Sequence, residues 1–535
     1  MIFRNSISFL KKKINSLYLN SNIYDRRISL YEDSVLTYKP SPSLLDCLIK
    51  FNKKKINIEN YSMDEIWDKN LLKKDHDNLN SFFWLFSLDL KSSKKETQNI
   101  ILKWIEKNEK YNARNWQIDI LAKRIIAWIS NAKLTYEDGG VVYRNKFNNI
   151  IKKQTNHLIK EINKSDWIDD KLIGCAAIIL SGLCYSGKNN YLFSGLDLLK
   201  KIIKFSIDEN GFPKSRNIRQ LNFYLKYFVL IREWLKESQN DIPEYIDENI
   251  YYLGQAYAFI WQNHKKNILF NGNHETNNIE FDQYLNRLGY NFKSQNNELG
   301  GYTILNSKKI SLIMDVGPSP DKKFSSNYQA GALSFEIISN GKKLICNSGY
   351  FQNFNHQLND LSKTSAAHST LNLDDRSSCK FEKKNKSSSI IEHGLKIIKK
   401  NIVFEKNYWK ISAAHDGYLK QYGIIHERKI EFYPEQMKFI GHDKIISKNK
   451  PQNLKYEIRF HLEPNIKIMK TQDTKSILID IDGEGWKFNS DNSYINIDNG
   501  LYFGKKNSFI DNQNIFISGM TNNTNQTIKW EITKL

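Results

Sequence analysis

The hydrophobic period of the chain changes near residue 295, and this change constrains the fold more than any other feature. Upstream, apolar residues recur every three or four positions, as in QIDILAKRIIAWIS (117–130) and QLNFYLKYFVLIREWL (220–235), which is typical of amphipathic helices. Downstream, short segments such as ISLIMDVG (310–317) and SILIDID (476–482) alternate or are strand-like. Helices first and strands later predict separate domains rather than an alternating α/β fold.

We therefore predict an α+β multidomain protein. Residues 1–79 form an irregular N-terminal arm, residues 80–294 a helical domain of paired helices packed in layers or in a toroid, and residues 295–535 an antiparallel β-sandwich.

Three local patterns refine this prediction. Asn340-Gly341 and Asn499-Gly500 each lie between strand-like segments, and both dipeptides tolerate positive φ, so they predict hairpin turns. The apolar run LIGCAAIILSGL (172–183) is too short to span a bilayer. It predicts a buried helix, and we expect no transmembrane segment.

The formal net charge of +21 attracts polyanions, including nucleic acid, anionic membranes and acidic polysaccharides. The lysines are scattered along the chain among many Asn and Ile residues, as an A/T-rich coding sequence also produces, so a compositional origin of the charge stays open. The sequence contains no zinc-finger spacing, RNP motif or clear helix-turn-helix. We expect no nucleic-acid partner.

Cysteine usage and the N-terminus bear on the compartment. The five cysteines are an odd number at irregular spacing without a CxxC pair, which argues against a disulfide framework and a cysteine metal site. The N-terminal MIFRNSISFLKKKINSLYL lacks the apolar region of a signal peptide. This absence favours the cytoplasm.

Several segments occur in an order that is typical of one enzyme family. The C-terminal half contains YQAGALSFE (328–336), LICNSGY (344–350), TSAAHSTLNLDD (364–375), AAHDGY (413–418), HERKI (426–430), RFHLEP (459–464) and GEGWKF (483–488). The N-terminal half contributes the weaker NWQIDILAKRIIAWI (115–129) and GFPKSRN (211–217). Over roughly residues 30 to 530, the chain resembles the heparinase II/III-like family.

This resemblance implies an N-terminal (α/α) toroid followed by a C-terminal antiparallel β-sandwich, and lyase action on uronate-containing polysaccharides. It also implies the periplasm or cell envelope as an alternative location. A uronate lyase needs one group that neutralises the sugar carboxylate, a base that removes the neighbouring C–H proton, and an acid that protonates the leaving oxygen.

Three residues are candidates for catalysis. His368 stands at a histidine position of the family and is predicted to be the general acid or base; the alternative is a structural histidine. Tyr328 is a candidate phenolic base if a nearby cation lowers its pKa, and otherwise a packed strand aromatic. Arg216 is a candidate bidentate clamp for a carboxylate, or an exposed arginine ahead of a helix.

Six further residues are candidates for substrate binding, and we expect the glycan to lie in a cleft between toroid and sandwich, with His368 and the Ser215–Asn217 loop on opposite sides. Tyr224 and Arg124 have simpler interpretations, as a core residue of a helix and as a helix side chain. The six candidates are Asn217, Ser215, Gln329, Asn327, Tyr224 and Arg124.

The chain departs from the family at positions that carry chemistry. Where the family has His-x-His-x-Asp, this sequence has Asn327, Gln329 and Gly331, and the Asp of the next turn corresponds to Asn347. The family's zinc set would here be Gln329, Asn347 and His368. Amide oxygens are poor zinc ligands beside carboxylate and imidazole, so we expect no cofactor and at most weak zinc binding.

The helical half departs as well. The family's catalytic Asn would fall near Ile168 to Asp170, where no Asn stands, and its catalytic Tyr near Ile218, where the closest tyrosine is Tyr224.

Two functions remain. The first is a polysaccharide lyase-like enzyme that cleaves an acidic uronate-containing glycan by β-elimination. The alternative is a catalytically impaired protein on the same scaffold that binds glycans or assists surface-polysaccharide assembly, and the amides at 327, 329 and 347 favour it.

Overall fold

The change of hydrophobic period coincides with a change from helices to strands in the computed structural model. The structure describes residues 13–30, 35–45, 73–87, 94–185, 190–262, 264–353, 356–385, 388–448, 453–491, 494–522 and 524–535. The chain divides into two units, the helical unit (residues 1–206 and 223–250) and the β unit (residues 207–222 and 251–535). Residues 207–222 and 251–294 therefore group with the sandwich, whereas the predicted helical domain included them.

Most of the described residues before position 290 lie in helices. They are Asn22–Ile28, Lys73–Ser81, Lys94–Asn108, Ile118–Ser130, Ala132–Thr135, Val141–Glu161, Ile168–Cys184, Tyr191–Ser206, Ile218–Glu237, Glu244–Trp261 and Asn278–Arg287.

The predicted helical segments are confirmed. In Ile118–Ser130, the side chain of Trp128 is fully buried and meets the ring of Trp104 edge-on at a centroid distance of 5.5 Å. Ile168–Cys184 contains the apolar run and is buried almost all round, as its sequence predicts. Within the described residues, no helix has the length and apolarity needed to cross a membrane.

The predicted irregular arm lies partly outside the described residues, which omit 1–12, 31–34 and 46–72. Its described part includes the helix Asn22–Ile28. There the buried hydroxyl of Tyr24 lies 2.8 Å from Nδ1 of His157, so this piece of the arm is packed as part of the helical unit.

Antiparallel strands form the β unit. They are β1 (Glu298–Leu299), β2 (Tyr302–Asn306), β3 (Ile310–Asp315), β4 (Phe335–Ser339), β5 (Lys342–Ile345), β6 (Leu371–Leu373), β7 (Lys380–Asn385), β8 (Ser388–His393), β9 (Ile397–Phe404), β10 (Trp409–His415), β11 (Ile424–Tyr433), β12 (Lys438–Ser447), β13 (Lys455–His461), β14 (Lys467–Lys470), β15 (Ser476–Ile481), β16 (Glu484–Ser490), β17 (Tyr494–Tyr502), β18 (Ile510–Met520) and β19 (Asn525–Lys534).

The strands form two layers around one core. A sheet in the order β1-β2-β3-β4-β5 meets a second in the order β17-β18-β13-β6 through a bridge between Cys346 and His461. Both share a core with the sheet β14-β15-β16-β19-β12-β11-β10-β9. Phe335 and Phe460 lie 5.3 Å and 5.0 Å from the ring of Trp530 in β19. These contacts between layers are those of a β-sandwich.

One of the two predicted hairpin turns is confirmed and the other is wrong. Asn340 and Gly341 join β4 to β5 with φ of 47° and 75°, as a tight hairpin turn requires. Asn499 and Gly500 instead lie inside β17, opposite Gln513 and Asn512 of β18. A Cβ atom on Gly500 would overlap the side-chain nitrogen of Asn514, so glycine is needed there for close approach rather than for a turn.

This correction predicts different effects at two adjacent residues. Gly500→Ala should lower the free energy of unfolding by about 1–3 kcal/mol, because the buried Asn514 side chain must move. Asn499→Ala, at an exposed strand position, should change it by less than about 0.5 kcal/mol. Urea denaturation measures both. If Asn499→Ala lowered the free energy of unfolding as much as Gly500→Ala does, the result would instead support a turn.

Candidate functional site

Within the β unit, Arg216 ties the 211–217 loop to residues 300–318. Its Nε donates to the carbonyl oxygen of Gly300 at 3.0 Å, Nη1 to that of Pro318 at 2.9 Å, and Nη2 to that of Gly301 at 3.0 Å and to Oδ1 of Asp315 at 2.6 Å. Burial opposes the charge, but the Asp315 carboxylate raises the pKa of Arg216 above its usual value. The carboxylate clamp stays a prediction, since four guanidinium N–H groups already bind the protein.

Hydrogen bonds extend from this ion pair to the 327–331 segment. Oδ2 of Asp315 accepts from Nδ2 of Asn271 at 3.2 Å, and Oδ1 of Asn271 accepts from the backbone N–H of Gln329 at 3.4 Å. The Tyr302 hydroxyl donates to the carbonyl oxygen of Arg216 at 2.7 Å. The predicted residues of both loops therefore belong to one polar network within the β unit.

Asn217 presents an amide group with an unpaired nitrogen. It caps the helix Ile218–Glu237, because its Oδ1 accepts from the backbone N–H of Gln220 at 3.1 Å. Its Nδ2 is buried without a hydrogen-bond partner in the described structure. That nitrogen is 2.5 Å from where a Cβ of Gly272 would stand, and the Cβ of Asn327 is 3.1 Å from the same point. Asn217 and Asn327 are therefore neighbours, as a joint binding role requires.

Ser215 and Asn327 make contacts within the protein. The Ser215 hydroxyl donates to Oε1 of Gln220 at 2.6 Å and accepts from the backbone N–H of Asn217 at 3.2 Å. Oδ1 of Asn327 accepts from the Tyr350 hydroxyl at 3.1 Å. Their roles in substrate binding stay predictions.

His368 has one nitrogen available for chemistry. Its Nδ1 lies 2.8 Å from the carbonyl oxygen of Thr364 and must donate to it, so Nε2 is the unprotonated nitrogen. Nε2 is buried without a partner in the described structure. Burial lowers the pKa of His368 to about 4. A neutral imidazole with a free lone pair can accept a proton at neutral pH.

Gly331 explains the small residues of the QAGA segment. A Cβ atom there would lie 2.5 Å from Cδ2 of His368, so a larger residue would displace the imidazole. Strand β4 starts at Phe335, and Leu333 before it has a φ of 57°. The segment is therefore a loop packed against His368, and it precedes the strand.

Tyr328 and Gln329 are buried beside this loop. Tyr328 packs with Ala332, Cys379 and Ile391, and burial raises its pKa well above the usual value even though Arg216 acts in the opposite direction. The lowered pKa on which its role as a base depends is not present. The Gln329 side chain makes three hydrogen bonds to backbone groups.

Tyr224 and Arg124 lie in the helical unit, and both are buried. Nε of Arg124 donates to Oε1 of Gln154 at 3.2 Å, and its guanidinium lies 4.1 Å from the ring centroid of Trp104. Burial lowers the pKa of Arg124 well below its usual value. These placements match the simpler interpretations, and contact with substrate stays a prediction for both.

The sequence did not single out Tyr350 or pair His274 with Gln352. The Tyr350 hydroxyl binds Asn327, and burial raises its pKa although Asn359 and the Arg219 charge lower it. Nε2 of Gln352 donates to Nδ1 of His274 at 2.8 Å. The position of Tyr350 at the end of the family-like segment LICNSGY could have marked it as a candidate. Nothing in that segment predicts its contact with Asn327.

A polar cleft of about 700 Å³ opens beside the 211–217 loop, within the β unit. Charged side chains of both signs line it, among them Asp208, Lys214, Arg216, Glu298 and Asp321. A volume of this size accommodates a sugar residue with neighbours.

Comparison with known proteins matches the β unit to one family. Residues 291–531 match the family model described as heparinase II/III-like, C-terminal. This result confirms the resemblance predicted from the sequence segments.

Solved structures match over most of the chain. Heparinase III superimposes with a TM-score of 0.70 at 14% identity, covering 95% of this chain and 88% of that one. Heparan sulfate lyase HepC from Pedobacter heparinus gives 0.64 at 13% identity, covering 96% and 87%. At such identities the likeness concerns the fold, and it confirms the predicted (α/α) toroid followed by an antiparallel β-sandwich.

A curated relative matches over a shorter stretch. FtsZ-localized protein C of Caulobacter vibrioides is 24% identical over 249 residues, which is 44% of this chain and 42% of that protein. The chain thus spans less than half the length of this relative.

The buried histidines predict acid sensitivity. Burial lowers the pKa of His157, His264 and His461 to about 3 and that of His368 to about 4, whereas an unfolded histidine titrates near 6.5. Between about pH 6.5 and 4 the unfolded chain therefore binds protons that the folded chain does not, and the free energy of unfolding should fall as the pH falls.

Urea denaturation at pH 7, 6 and 5 measures this effect. His368→Gln should reduce the pH slope by up to about 1.4 kcal/mol per pH unit, the contribution of one proton. Asn148→Ala, at a buried position without an ionisable side chain, should leave the slope unchanged. An unchanged slope in His368→Gln would mean that His368 is not held neutral in the folded protein.

Proposed function

Residues 291–531 of the chain match the heparinase II/III-like family model, and on that premise we propose that the protein is a polysaccharide lyase that cleaves an acidic uronate-containing glycan by β-elimination. One observation carries the proposal. The β unit holds several buried polar atoms without a hydrogen-bond partner in the described structure, and two of them are Nε2 of His368 and Nδ2 of Asn217. A base and a carboxylate-neutralising donor are the two groups that start such an elimination.

The proposed roles follow from the state of each atom. Nδ2 of Asn217 donates a hydrogen bond to the uronate carboxylate and stabilises the charge that develops when the neighbouring C–H is deprotonated. Nε2 of His368 accepts that proton from C5. The C5 electron pair forms the C4=C5 double bond as the C4–O bond breaks, and the imidazolium then returns its proton to the leaving oxygen.

The charge of the chain supports an anionic substrate. A net charge of +21 raises the local concentration of polyanions and speeds their association. The substrate proposed is therefore an acidic polysaccharide.

Turnover tests the proposal directly. The protein is incubated with heparan sulfate, alginate and bacterial surface polysaccharide, and absorbance near 232 nm reports the unsaturated uronate product. His368→Ala should lower kcat by about 10²–10⁴-fold, the usual contribution of a proton-transfer group. His393→Ala is the matched control and should retain activity. The proposal fails if no uronate polymer gives product, or if His368→Ala acts like the wild type.

A second variant separates the two functions of Asn217. Asn217→Asp keeps the oxygen that caps the helix but replaces the amide N–H donor by a charge that repels a carboxylate. We expect a thermal midpoint close to that of the wild type and a loss of activity of about 100-fold. Retained activity would exclude the amide nitrogen as the carboxylate contact.

A second candidate function is glycan binding without turnover. The engaged donors of Arg216 and Gln329 and the raised pKa of Tyr328 favour it, since a standard lyase needs such groups free. Calorimetry distinguishes the two functions. Heat of binding to an acidic glycan with no absorbance gain at 232 nm would support binding alone.

A further inference from the structure

The residue after His368 is held at each of its polar groups. The backbone N–H of Ser369 donates to Oδ1 of Asn347 at 2.9 Å, and its carbonyl oxygen accepts from Nη1 of Arg428 at 2.6 Å. Its hydroxyl donates to the carbonyl oxygen of Cys346 at 2.6 Å and accepts from the backbone N–H of His461 at 2.9 Å. The backbone that carries His368 is therefore fixed from several sides.

The amide of Asn347 is engaged at both ends. Its Nδ2 faces Oε1 of Glu336 at 3.5 Å, and the same Glu336 oxygen accepts from the Asn347 backbone N–H at 3.1 Å. Glu336 is itself buried and paired with Lys343 at 3.1 Å. With its oxygen facing Ser369 and its nitrogen facing Glu336, Asn347 links a buried ion pair to the His368 loop.

The amide of Gln329 is engaged more completely still. Its Oε1 accepts from the backbone N–H of Gly272 at 2.9 Å. Its Nε2 donates to the carbonyl oxygens of Gly349 at 3.0 Å and Ser362 at 2.6 Å. One side chain thus joins three separate segments, one of which leads into the His368 loop.

These contacts do not fit the zinc ion that the family resemblance implies. Zinc prefers imidazole, thiolate and carboxylate ligands, whereas Gln329 and Asn347 offer amide oxygens that already accept backbone N–H groups. Of the three positions, only His368 has a side-chain acceptor atom that makes no hydrogen bond in the described structure. Among the described residues, no group of three His, Cys, Asp or Glu side chains is placed to hold a metal ion.

We propose that Gln329 and Asn347 are positioning residues that fix the His368 loop by hydrogen bonds, at the places where a metal ion would otherwise fix it by coordination. The geometry of His368 is then independent of metal. The consequence for turnover rests on the proposed lyase function, but the consequence for the loop itself does not.

Hydrogen–deuterium exchange of peptides covering residues 365–373 tests the loop. Asn347→Ala removes the acceptor of the Ser369 N–H, and Gln329→Met keeps the volume of the side chain but none of its hydrogen bonds. Either variant should raise the exchange rate of this segment about tenfold or more. Asn148→Ala is the matched control, because Asn148 is a buried amide with two side-chain partners in the helical unit. It should leave the segment unchanged.

Calorimetric titration with Zn²⁺ tests metal independence. The wild type should take up no stoichiometric zinc at micromolar concentration, and EDTA should not alter exchange in residues 365–373. Binding of one zinc per chain that is lost in His368→Ala would overturn the proposal. If both variants fold and exchange in residues 365–373 is unchanged in both, the proposal is also overturned. If Asn347→Ala does not fold, the result for Gln329→Met decides.

Kinetics separate positioning from stability. In the 232 nm assay, Asn347→Ala should lower kcat with little change in KM, because a displaced base slows proton transfer without removing a substrate contact. If kcat of Asn347→Ala fell only in proportion to the fraction of folded protein, the role of Asn347 would be merely structural. If the wild type has no turnover, the lyase function fails while exchange and zinc titration still decide this proposal.

Discussion

The bidentate ion pair between Arg428 and Asp443 is the interaction on which the β unit depends. Both side chains are fully buried, and Nε and Nη2 of Arg428 lie 2.8 Å and 3.0 Å from the two carboxylate oxygens. Burial opposes ionisation, but Arg428 and His426 hold the pKa of Asp443 below its usual range. Breaking such a pair costs several kcal/mol because the remaining charge is left unpaired. Nη1 of Arg428, which does not contact Asp443, donates to the carbonyl oxygens of Leu333 and Ser369. The sheet interior therefore fixes the backbone that follows the QAGA segment and the backbone that follows His368.

The same principle recurs twice around this site. Arg216 with Asp315 fixes the 211–217 loop, and Lys343 with Glu336 supports Asn347. In each pair, one charged group also binds backbone groups of neighbouring segments: Arg428, Arg216 and Glu336 do so. Inside this rigid polar frame, Asn217 and His368 each keep one unpaired atom. Paired buried charges on the surrounding segments hold these two atoms at fixed positions, which is the arrangement that binding and catalysis need.

Periodicity and family patterns predicted a large share of this arrangement. The helical and alternating segments predicted the elements, and segment order predicted the family and the loop that carries His368. The misjudged Asn499-Gly500 shows the limit, because its local sequence fits a turn while contact with Asn514 across the sheet decides the conformation. The sequence also did not predict which residues pair over long distances along the chain. Nothing near Arg216 points to Asp315, 99 residues away, and its engagement there bears directly on the predicted carboxylate clamp.

The three bonds of the Gln329 amide have an evolutionary consequence. A histidine at this position has a single N–H when neutral and no geometry that serves Gly272, Gly349 and Ser362 together. One substitution toward a metal-binding set would therefore leave buried backbone groups unsatisfied before the set of metal ligands was complete. Intermediates between the two designs would be less stable than either end point. The amide-based and metal-based versions of this loop should thus be separated by several simultaneous changes, and a lineage that has adopted one is expected to keep it.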